Sequence, residues 1–188
     1  PNYAPAYILR GLVYMRLNDV ALAEESFRRA LQINPRDAQA LHSYGLFACE
    51  QARYVQADEM FNQALAVPTY GGRARTWLVQ GVCQIRAGKL QDAEATLARA
   101  YEFDPSNPIA AYNLASLKHR RGDSQGAQFI IRRVNNSELA NAETLWLGVK
   151  VERQLNNDVA AAQLAQQLGR RFPQSPQWAA YQRGAFNE

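Results

Sequence analysis

The chain has 188 residues, of which 47% are hydrophobic and 20% are charged, and its formal net charge at pH 7 is +4. This composition excludes extensive disorder except at the ends, and the longest apolar runs are too short to span a bilayer. Arginine and lysine are interleaved with aspartate and glutamate, so the small positive balance favours a solvated surface over nucleic-acid binding.

A small residue returns at intervals of 33 to 36 positions along the chain, at Gly11, Gly45, Gly81, Ala115 and Gly148. This period is the signature of tetratricopeptide helix-turn-helix repeats, in which each helix pair buries its apolar faces against the next pair. No run of alternating β-branched residues competes as a strand. The sequence therefore predicts an all-α, right-handed superhelical solenoid of about five tetratricopeptide repeats.

The repeats are predicted in chain order, with the first helix beginning near Tyr3 or Ala4. Because contacts in a solenoid are between neighbours, we expect one domain over residues 1–188, with a degenerate, capping last repeat. Turn residues separate the two helices of four repeats, at Asn18-Asp19, Gly88-Lys89, Gly122-Asp123 and Asn156-Asn157-Asp158. The predicted repeat ranges are 4–37, 38–73, 74–107, 108–140 and 141–174, followed by a C-terminal tail at 175–188.

Each second helix carries a small, a bulky and again a small residue at fixed distances from the small residue of the first helix. We expect these positions to lie where the helices touch. They are Ala23, Phe27 and Ala30; Ala57, Phe61 and Ala64; Ala93, Leu97 and Ala100; Ala127, Ile131 and Val134; and, less regularly, Ala160 and Leu164.

No arrangement of residues indicates catalysis. The two histidines, His42 and His119, lie more than two repeats apart, and neither has a carboxylate at helical spacing on its own predicted helix. Cys49 and Cys83 lack the closer cluster of ligands that a zinc site needs. A nucleophile elbow, a phosphate loop and a dinucleotide fingerprint are also missing from the sequence. We therefore expect a non-catalytic protein that uses neither a cofactor nor a metal.

The first helices of successive repeats are expected to line the concave side of the solenoid. Apolar side chains dominate at the positions that should face this groove, which suits an extended or helical apolar segment of a partner protein. The carboxylate clamp of chaperone-binding repeat domains, which uses Lys, Asn and Arg, is not predicted, because the corresponding places carry Ile8, Leu12, Ser43 and Leu78. The alternative is that several of these side chains pack internally. The predicted groove residues are Ile8, Leu12, Met15, His42, Leu46, Leu78, Val82, Ile85 and Tyr112.

Two segments depart from a generic repeat in a specific way. Residues 43–49 and 61–70 resemble a repeat of the type IV pilus biogenesis and stability lipoproteins PilF and PilW. The resemblance includes the Pro-Thr-Tyr loop of that family, at Pro68, Thr69 and Tyr70, where the spacing between the repeats is widest. Further similar segments are 81–83, 145–150 and 168–175.

The resemblance implies a scaffold of type IV pilus biogenesis, held to the periplasmic face of the outer membrane by an N-terminal lipid. It implies the secretin or other pilus-machine proteins as partners, and a pilotin-like role in secretin assembly or localisation, pilus stability and twitching motility. Because members of the family usually carry six repeats, we expect a lipid-bearing segment and one repeat to precede Pro1. The alternatives are a generic cytosolic adaptor unrelated to pili and a regulatory repeat domain of an enzyme.

The resemblance also suggests a role for the two cysteines. Cys49 and Cys83 fall at nearly equivalent places on the first helices of adjacent repeats. The periplasm that the resemblance implies is oxidising, so a disulfide between them is favoured. Two buried free thiols are the alternative, because cysteine is often a small core residue.

Overall fold

The computed structural model describes residues 3–187, which form eleven α-helices and no β-strand. The all-α class is confirmed, and two helices fall in each of the five predicted repeats, with α5 starting one residue early. No helix within the described residues is long and apolar enough to cross a membrane. The helices are α1 (Ala4–Arg16), α2 (Val20–Ile33), α3 (Ala38–Glu50), α4 (Tyr54–Leu65), α5 (Arg73–Arg86), α6 (Leu90–Phe103), α7 (Pro108–Arg120), α8 (Ser124–Asn135), α9 (Ala142–Gln154), α10 (Asp158–Arg171) and α11 (Pro176–Gln182).

Residues 1–100 and 101–188 form two compact units, called below the N-terminal unit and the C-terminal unit. The N-terminal unit contains α1 to α5 and most of α6, and the C-terminal unit contains α7 to α11. The expectation that residues 1–188 form one domain stays a prediction.

The recurring glycines of the N-terminal unit lie directly beneath the bulky residue of the second helix. A Cβ atom on any of the three glycines would come within 2.5–2.7 Å of that side chain, which is closer than two carbon atoms can approach. The bulky side chains are fully buried, so they cannot move aside. The period in the sequence therefore marks the points of closest helix contact. The pairs are Gly11 with Phe27, Gly45 with Phe61, and Gly81 with Leu97.

The C-terminal unit shows the same pairing of a small residue with a bulky residue less regularly. Gly148 lies beneath Leu164, where an added Cβ would be 3.0 Å from a side-chain methyl group. The buried alanines of α10 are Ala161 and Ala165, whereas the predicted Ala160 is half-buried. The predicted tail contains α11, whose first turn is capped by the Ser175 hydroxyl, which accepts a hydrogen bond from the Trp178 amide at 3.1 Å.

The turns within repeats use left-handed backbone, which glycine and asparagine tolerate best. The φ angle is +57° at Asn18, +76° at Gly88, +92° at Gly122 and +57° at Asn156, at the four predicted turns. The second repeat has Ala52 at the equivalent place, with a φ angle of +56°. The sequence did not reveal this turn, because alanine has no preference for turns.

Candidate functional site

The Pro-Thr-Tyr loop of the N-terminal unit is tied to α5 and, through it, to α3 by a chain of polar groups. The Tyr70 hydroxyl lies 2.8 Å from the Thr76 hydroxyl, which lies 2.8 Å from Nδ1 of His42. His42 is on α3 and Thr76 is on α5, and both are buried. Arg73 also donates a hydrogen bond to the carbonyl oxygen of Val67 at 3.1 Å. The loop is therefore held in one conformation.

The first two residues of this loop are open to solvent. Pro68 and Thr69 are exposed, whereas Tyr70 is half-buried against Gly72. A Cβ atom on Gly72 would lie 2.5 Å from the Tyr70 hydroxyl oxygen, so glycine is needed for the ring to reach Thr76. In the predicted family-specific loop, Pro68 and Thr69 are therefore exposed to solvent, while the hydrogen bond of Tyr70 holds the loop in place.

His42 is a neutral packing residue. It is only 1% exposed, and burial, together with the nearby charge of Arg75, lowers its pKa to about 4. Its Nε2 atom has no hydrogen-bond partner among the described residues. Protonation would therefore place an unpaired charge in the core of the N-terminal unit.

We expect the stability of this unit to depend on His42 in mildly acidic solution. The unfolded chain takes up a proton on this residue near pH 6.5, but the folded chain does so only near pH 4. The stabilisation is therefore present above pH 6.5 and is lost as the pH falls toward 4, by about 2 kcal/mol between pH 7 and 4.5. Urea unfolding of the wild type and of His42→Gln at these pH values checks this expectation.

The control for that experiment is His119→Gln. The pKa of His119 is also lowered, by burial and then by Lys150, so its contribution has the same sign and must be measured separately. The pKa of the Glu24 carboxyl is lowered, so its own loss of stabilisation begins only near and below pH 4.5. An equally steep pH dependence in His42→Gln would contradict the role of His42.

The predicted groove residues of the N-terminal unit divide into three groups. Ile8 and His42 are buried, with 6% and 1% exposure, and are not available to a partner. Leu12 and Met15 are half-buried and pack against core residues, including Phe27. The remaining residues of the N-terminal unit, called here the α3–α5 apolar patch, are half-buried and partly open; they are Leu46, Leu78, Val82 and Ile85.

The α3–α5 apolar patch lies on two neighbouring helices. Leu78, Val82 and Ile85 are four and three residues apart, so they share one face of α5. Leu46 is on α3, which contacts α5. The patch is therefore a candidate binding surface for an apolar segment of another protein.

A disulfide bond joins the same two helices. The sulfur atoms of Cys49 on α3 and Cys83 on α5 are bonded, with the Cα atoms 6.0 Å apart. The two residues are 4% and 2% exposed and pack against Phe61 and Ala57. Within residues 3–187 no three potential metal ligands come together. The cysteines therefore support the geometry of α3 and α5 from inside the N-terminal unit.

The C-terminal unit contains a second candidate site, a cleft of about 950 Å³ lined by residues of α7, α9 and the segment after α11. Its lining includes Tyr112, which was predicted to face the groove. It also includes basic residues and a second aromatic residue that were not predicted to be part of a site. No aspartate or glutamate occurs among the described residues that line it. We call it the cationic cleft; its main residues are Tyr112, His119, Arg120, Lys150, Arg153 and Phe186.

Aromatic rings hold two of the basic groups at the cationic cleft. The Arg153 guanidinium carbon lies 3.8 Å from the centre of the Phe186 ring, and the Lys150 Nζ lies 5.5 Å from the centre of the Trp146 ring. Burial lowers the pKa of the Lys150 ammonium, and burial with the nearby Glu143 charge raises the pKa of Tyr112. The Lys150 ammonium is therefore partly withdrawn from water, whereas Arg120 and Arg153 are exposed.

A signal for this cleft was present in the sequence but was interpreted differently. Arg120 is one of the arginines that were expected to lie on a solvated surface. Arg153 stands 33 residues later, the local repeat interval, so both arginines occupy equivalent places on successive first helices. The apolar character expected for the groove therefore does not extend to the C-terminal unit.

Three tetratricopeptide-repeat family profiles match the chain, at residues 4–37, 48–108 and 84–146. The type IV pilus assembly protein PilF of Pseudomonas aeruginosa is 25% identical over 97% of this chain and 72% of its own length. The crystal structure of PilW, described as a widely conserved type IV pilus biogenesis factor, is 32% identical, with a TM-score of 0.81 over 96% of this chain and 83% of that chain. The structure of Pseudomonas aeruginosa PilF has a TM-score of 0.85 at 25% identity, over 98% of this chain and 83% of that one. The chain therefore belongs to the family of tetratricopeptide-repeat proteins that includes the type IV pilus biogenesis factors PilW and PilF.

Proposed function

We propose that this protein is a non-catalytic scaffold of type IV pilus biogenesis that supports assembly or localisation of the secretin and thereby pilus stability. The observation that carries the proposal is the 32% identity to PilW over 96% of this chain. The segments that resemble the family most specifically are the Pro-Thr-Tyr loop and the two cysteine segments, and the structure joins them in one region. The partner is then the secretin or another protein of the pilus machine.

The proposed partner surface is the α3–α5 apolar patch. Its side chains are already half-buried, and a disulfide joins the two helices that carry them, so less conformational entropy is lost when a partner covers them. Each Å² of apolar surface removed from water contributes about 25 cal/mol, which favours an apolar segment as the ligand. The patch would supply affinity, and the outward-facing Pro68 and Thr69 would limit which segments fit.

The proposed location is the periplasmic face of the outer membrane, with the full-length protein anchored by an N-terminal lipid. A disulfide between Cys49 and Cys83 is compatible with this location, because the periplasm is oxidising and the cytosol is not. Anchoring through a lipid leaves the repeats free to bind a partner.

The binding surface is tested by adding charge to it. We expect Leu78→Glu/Val82→Glu in the full-length protein to weaken binding to the purified periplasmic domains of the secretin by about tenfold or more, because charge cannot be buried in an apolar contact without a partner. Biolayer interferometry measures the dissociation constants. The matched control is Val20→Glu/Val55→Glu, the same change at exposed valines of the same unit, which should bind as the wild type does.

A milder variant separates binding from folding. Leu78→Ala/Val82→Ala removes apolar area without adding charge, so it should keep the helical circular-dichroism spectrum and lose part of the affinity. Wild-type affinity in both patch variants would remove the α3–α5 apolar patch as the contact surface. Absence of any binding by the wild type would count against the secretin as the partner.

A further inference from the structure

An arginine lies at each end of the α5 side of the α3–α5 apolar patch. Arg75 is in the first turn of α5, Arg86 is its last residue, and both are exposed. Successive residues of a helix are rotated by about 100°, so Arg75 and Arg86 fall within about 40° of Val82 around the helix axis. A partner that covers the patch therefore meets positive charge at both of its ends.

The position of Arg75 is not explained by the stability of α5. The N-terminus of a helix carries partial positive charge, so a cation in its first turn is unfavourable. Arg73, in the same turn, donates a hydrogen bond to the Val67 carbonyl oxygen at 3.1 Å. Arg75 forms no hydrogen bond within residues 3–187, and its charge is the second cause, after burial, of the lowered pKa of His42. A local cost of this kind is expected at a functional site.

The charge of these two arginines is not balanced by carboxylates of the same unit. Several basic side chains there are paired, as Arg53 is with Glu24 at 3.2 Å. Arg75 and Arg86 form no ion pair within the described residues. A ligand that carries carboxylates at matching positions would therefore complement them.

We propose that the α3–α5 apolar patch binds an amphipathic helix of a partner protein that has an acidic residue at each end of its apolar face. The two carboxylates pair with Arg75 and Arg86, whose guanidinium groups accommodate a carboxylate through two parallel hydrogen bonds. Apolar side chains between the carboxylates cover Leu78, Val82 and Ile85. This inference rests on the proposed function, because it specifies the partner of the same surface.

The surface favours a helical segment over an extended one. Side chains of α3 and α5 form it, and the backbone groups beneath them are paired within those two helices. An extended peptide laid on this surface would bury its own backbone N–H and C=O groups without partners, which is unfavourable. A helix pairs those groups internally and presents apolar side chains at intervals of three and four residues.

The length of α5 between the two arginines gives the spacing of the acidic residues. Arg75 and Arg86 are eleven residues apart, which corresponds to about 16 Å along the helix axis. Eleven residues are also close to three full turns, so two residues at this spacing share one face of a partner helix. We therefore expect the acidic residues of the partner to be about eleven positions apart.

The test uses an alanine-rich, fluorescein-labelled helical peptide with two glutamates about eleven positions apart and leucines between them on the same face. The comparison peptide has glutamine in place of both glutamates. Fluorescence anisotropy with the full chain should show that the glutamate peptide binds about tenfold more tightly, with a difference that shrinks as salt is added. Equal binding of the two peptides would overturn the proposal.

Variants assign the difference to the two arginines. In Arg75→Gln/Arg86→Gln, the two peptides should bind within about twofold of each other. In Arg75→Glu/Arg86→Glu, a third peptide with lysine at the glutamate positions should bind more tightly than the glutamate peptide, because the charges have been exchanged. The matched control Arg16→Gln/Arg36→Gln removes the same net charge at exposed positions outside α3 and α5, and should keep the preference of the wild type.

Two further results would overturn the proposal. An equal loss of preference in the control variant would show that net charge alone selects the peptide. Tighter binding of a proline-containing peptide that cannot form a helix, with its glutamates about five positions apart, would assign the patch to an extended segment instead.

Leu78→Glu/Val82→Glu separates this proposal from the proposed function. The variant should lose binding of both the glutamate and the glutamine peptide, because both need the apolar patch. If the wild type binds the two peptides equally and this variant binds neither, the patch remains a binding surface and the acidic residues are excluded. The peptide preference described above, together with no binding of the secretin domains, would support the ligand chemistry and count against the secretin as the partner.

Discussion

Replacing Phe61 with alanine is expected to lower the free energy of unfolding of the N-terminal unit by about 3–5 kcal/mol, because a fully buried aromatic side chain is removed and a cavity remains. The ring fills the space above Gly45 and packs against Ala57 and the disulfide between α3 and α5. Helices on either side cannot close over this space without breaking their other contacts. Urea unfolding followed by circular dichroism measures the change.

The control for this substitution is Phe129→Ala. Phe129 is 75% exposed, so the same chemical change should cost less than about 1 kcal/mol. A similar loss of stability in both variants would contradict the role assigned to Phe61.

A double-mutant cycle tests the contact between Phe61 and Gly45 directly. Gly45→Ala alone should cost about 1–3 kcal/mol, because its Cβ would lie 2.7 Å from a ring carbon of Phe61. In the Phe61→Ala background the same change should stabilise the protein by up to about 1 kcal/mol, because the clash is gone and alanine favours the helix. The same sign in both backgrounds would show that the glycine is needed for another reason.

Reducing the disulfide is expected to lower the free energy of unfolding by about 2–4 kcal/mol. Cys49 and Cys83 are separated by 34 positions. The chain-entropy treatment of a loop of this size predicts a loss of up to about 4 kcal/mol when the bond no longer restricts the unfolded chain. Urea unfolding with and without a reductant measures the change in stability. A count of reactive thiols under native, non-reducing conditions tests whether the disulfide is present.

The control for reduction is the double variant Cys49→Ala/Cys83→Ala. Its stability should be close to that of the reduced protein and should not change when reductant is added. Two titratable thiols in the native protein would contradict the disulfide, and would favour a generic cytosolic adaptor over a periplasmic scaffold.

Much of the fold was predictable because the repeat period reports helix contacts within and between neighbouring pairs. Gly11, Gly45 and Gly81 recur because a Cβ atom at each would overlap a buried side chain of the next helix. The turns at Gly88 and Gly122 were predictable for a related local reason, since few residues adopt a left-handed backbone. Ala52 and Ala160 were the exceptions, because an alanine does not indicate by itself whether its backbone is left-handed or its side chain is buried.

The candidate sites were less predictable. His42 was assigned to an open groove from its helical position, but its pairing with Thr76 and its burial depend on a helix about 34 residues away. Arg153 was not assigned to any site, because a basic residue near a helix end has an adequate local explanation. Its position above Phe186 follows from the packing of the segment after α11, which the sequence left as a tail.

The sequence by itself determined the helix-pair architecture and the resemblance to the PilF and PilW family, because each depends on residues close together in the chain or at a fixed interval. Only the tertiary structure decided which groove positions are buried, how the Pro-Thr-Tyr loop is held and where positive charge collects. Those properties arise when helices from different repeats pack together. The burial, hydrogen bonding and local charge of a residue depend on its neighbours in space, and many of those neighbours are distant in the sequence.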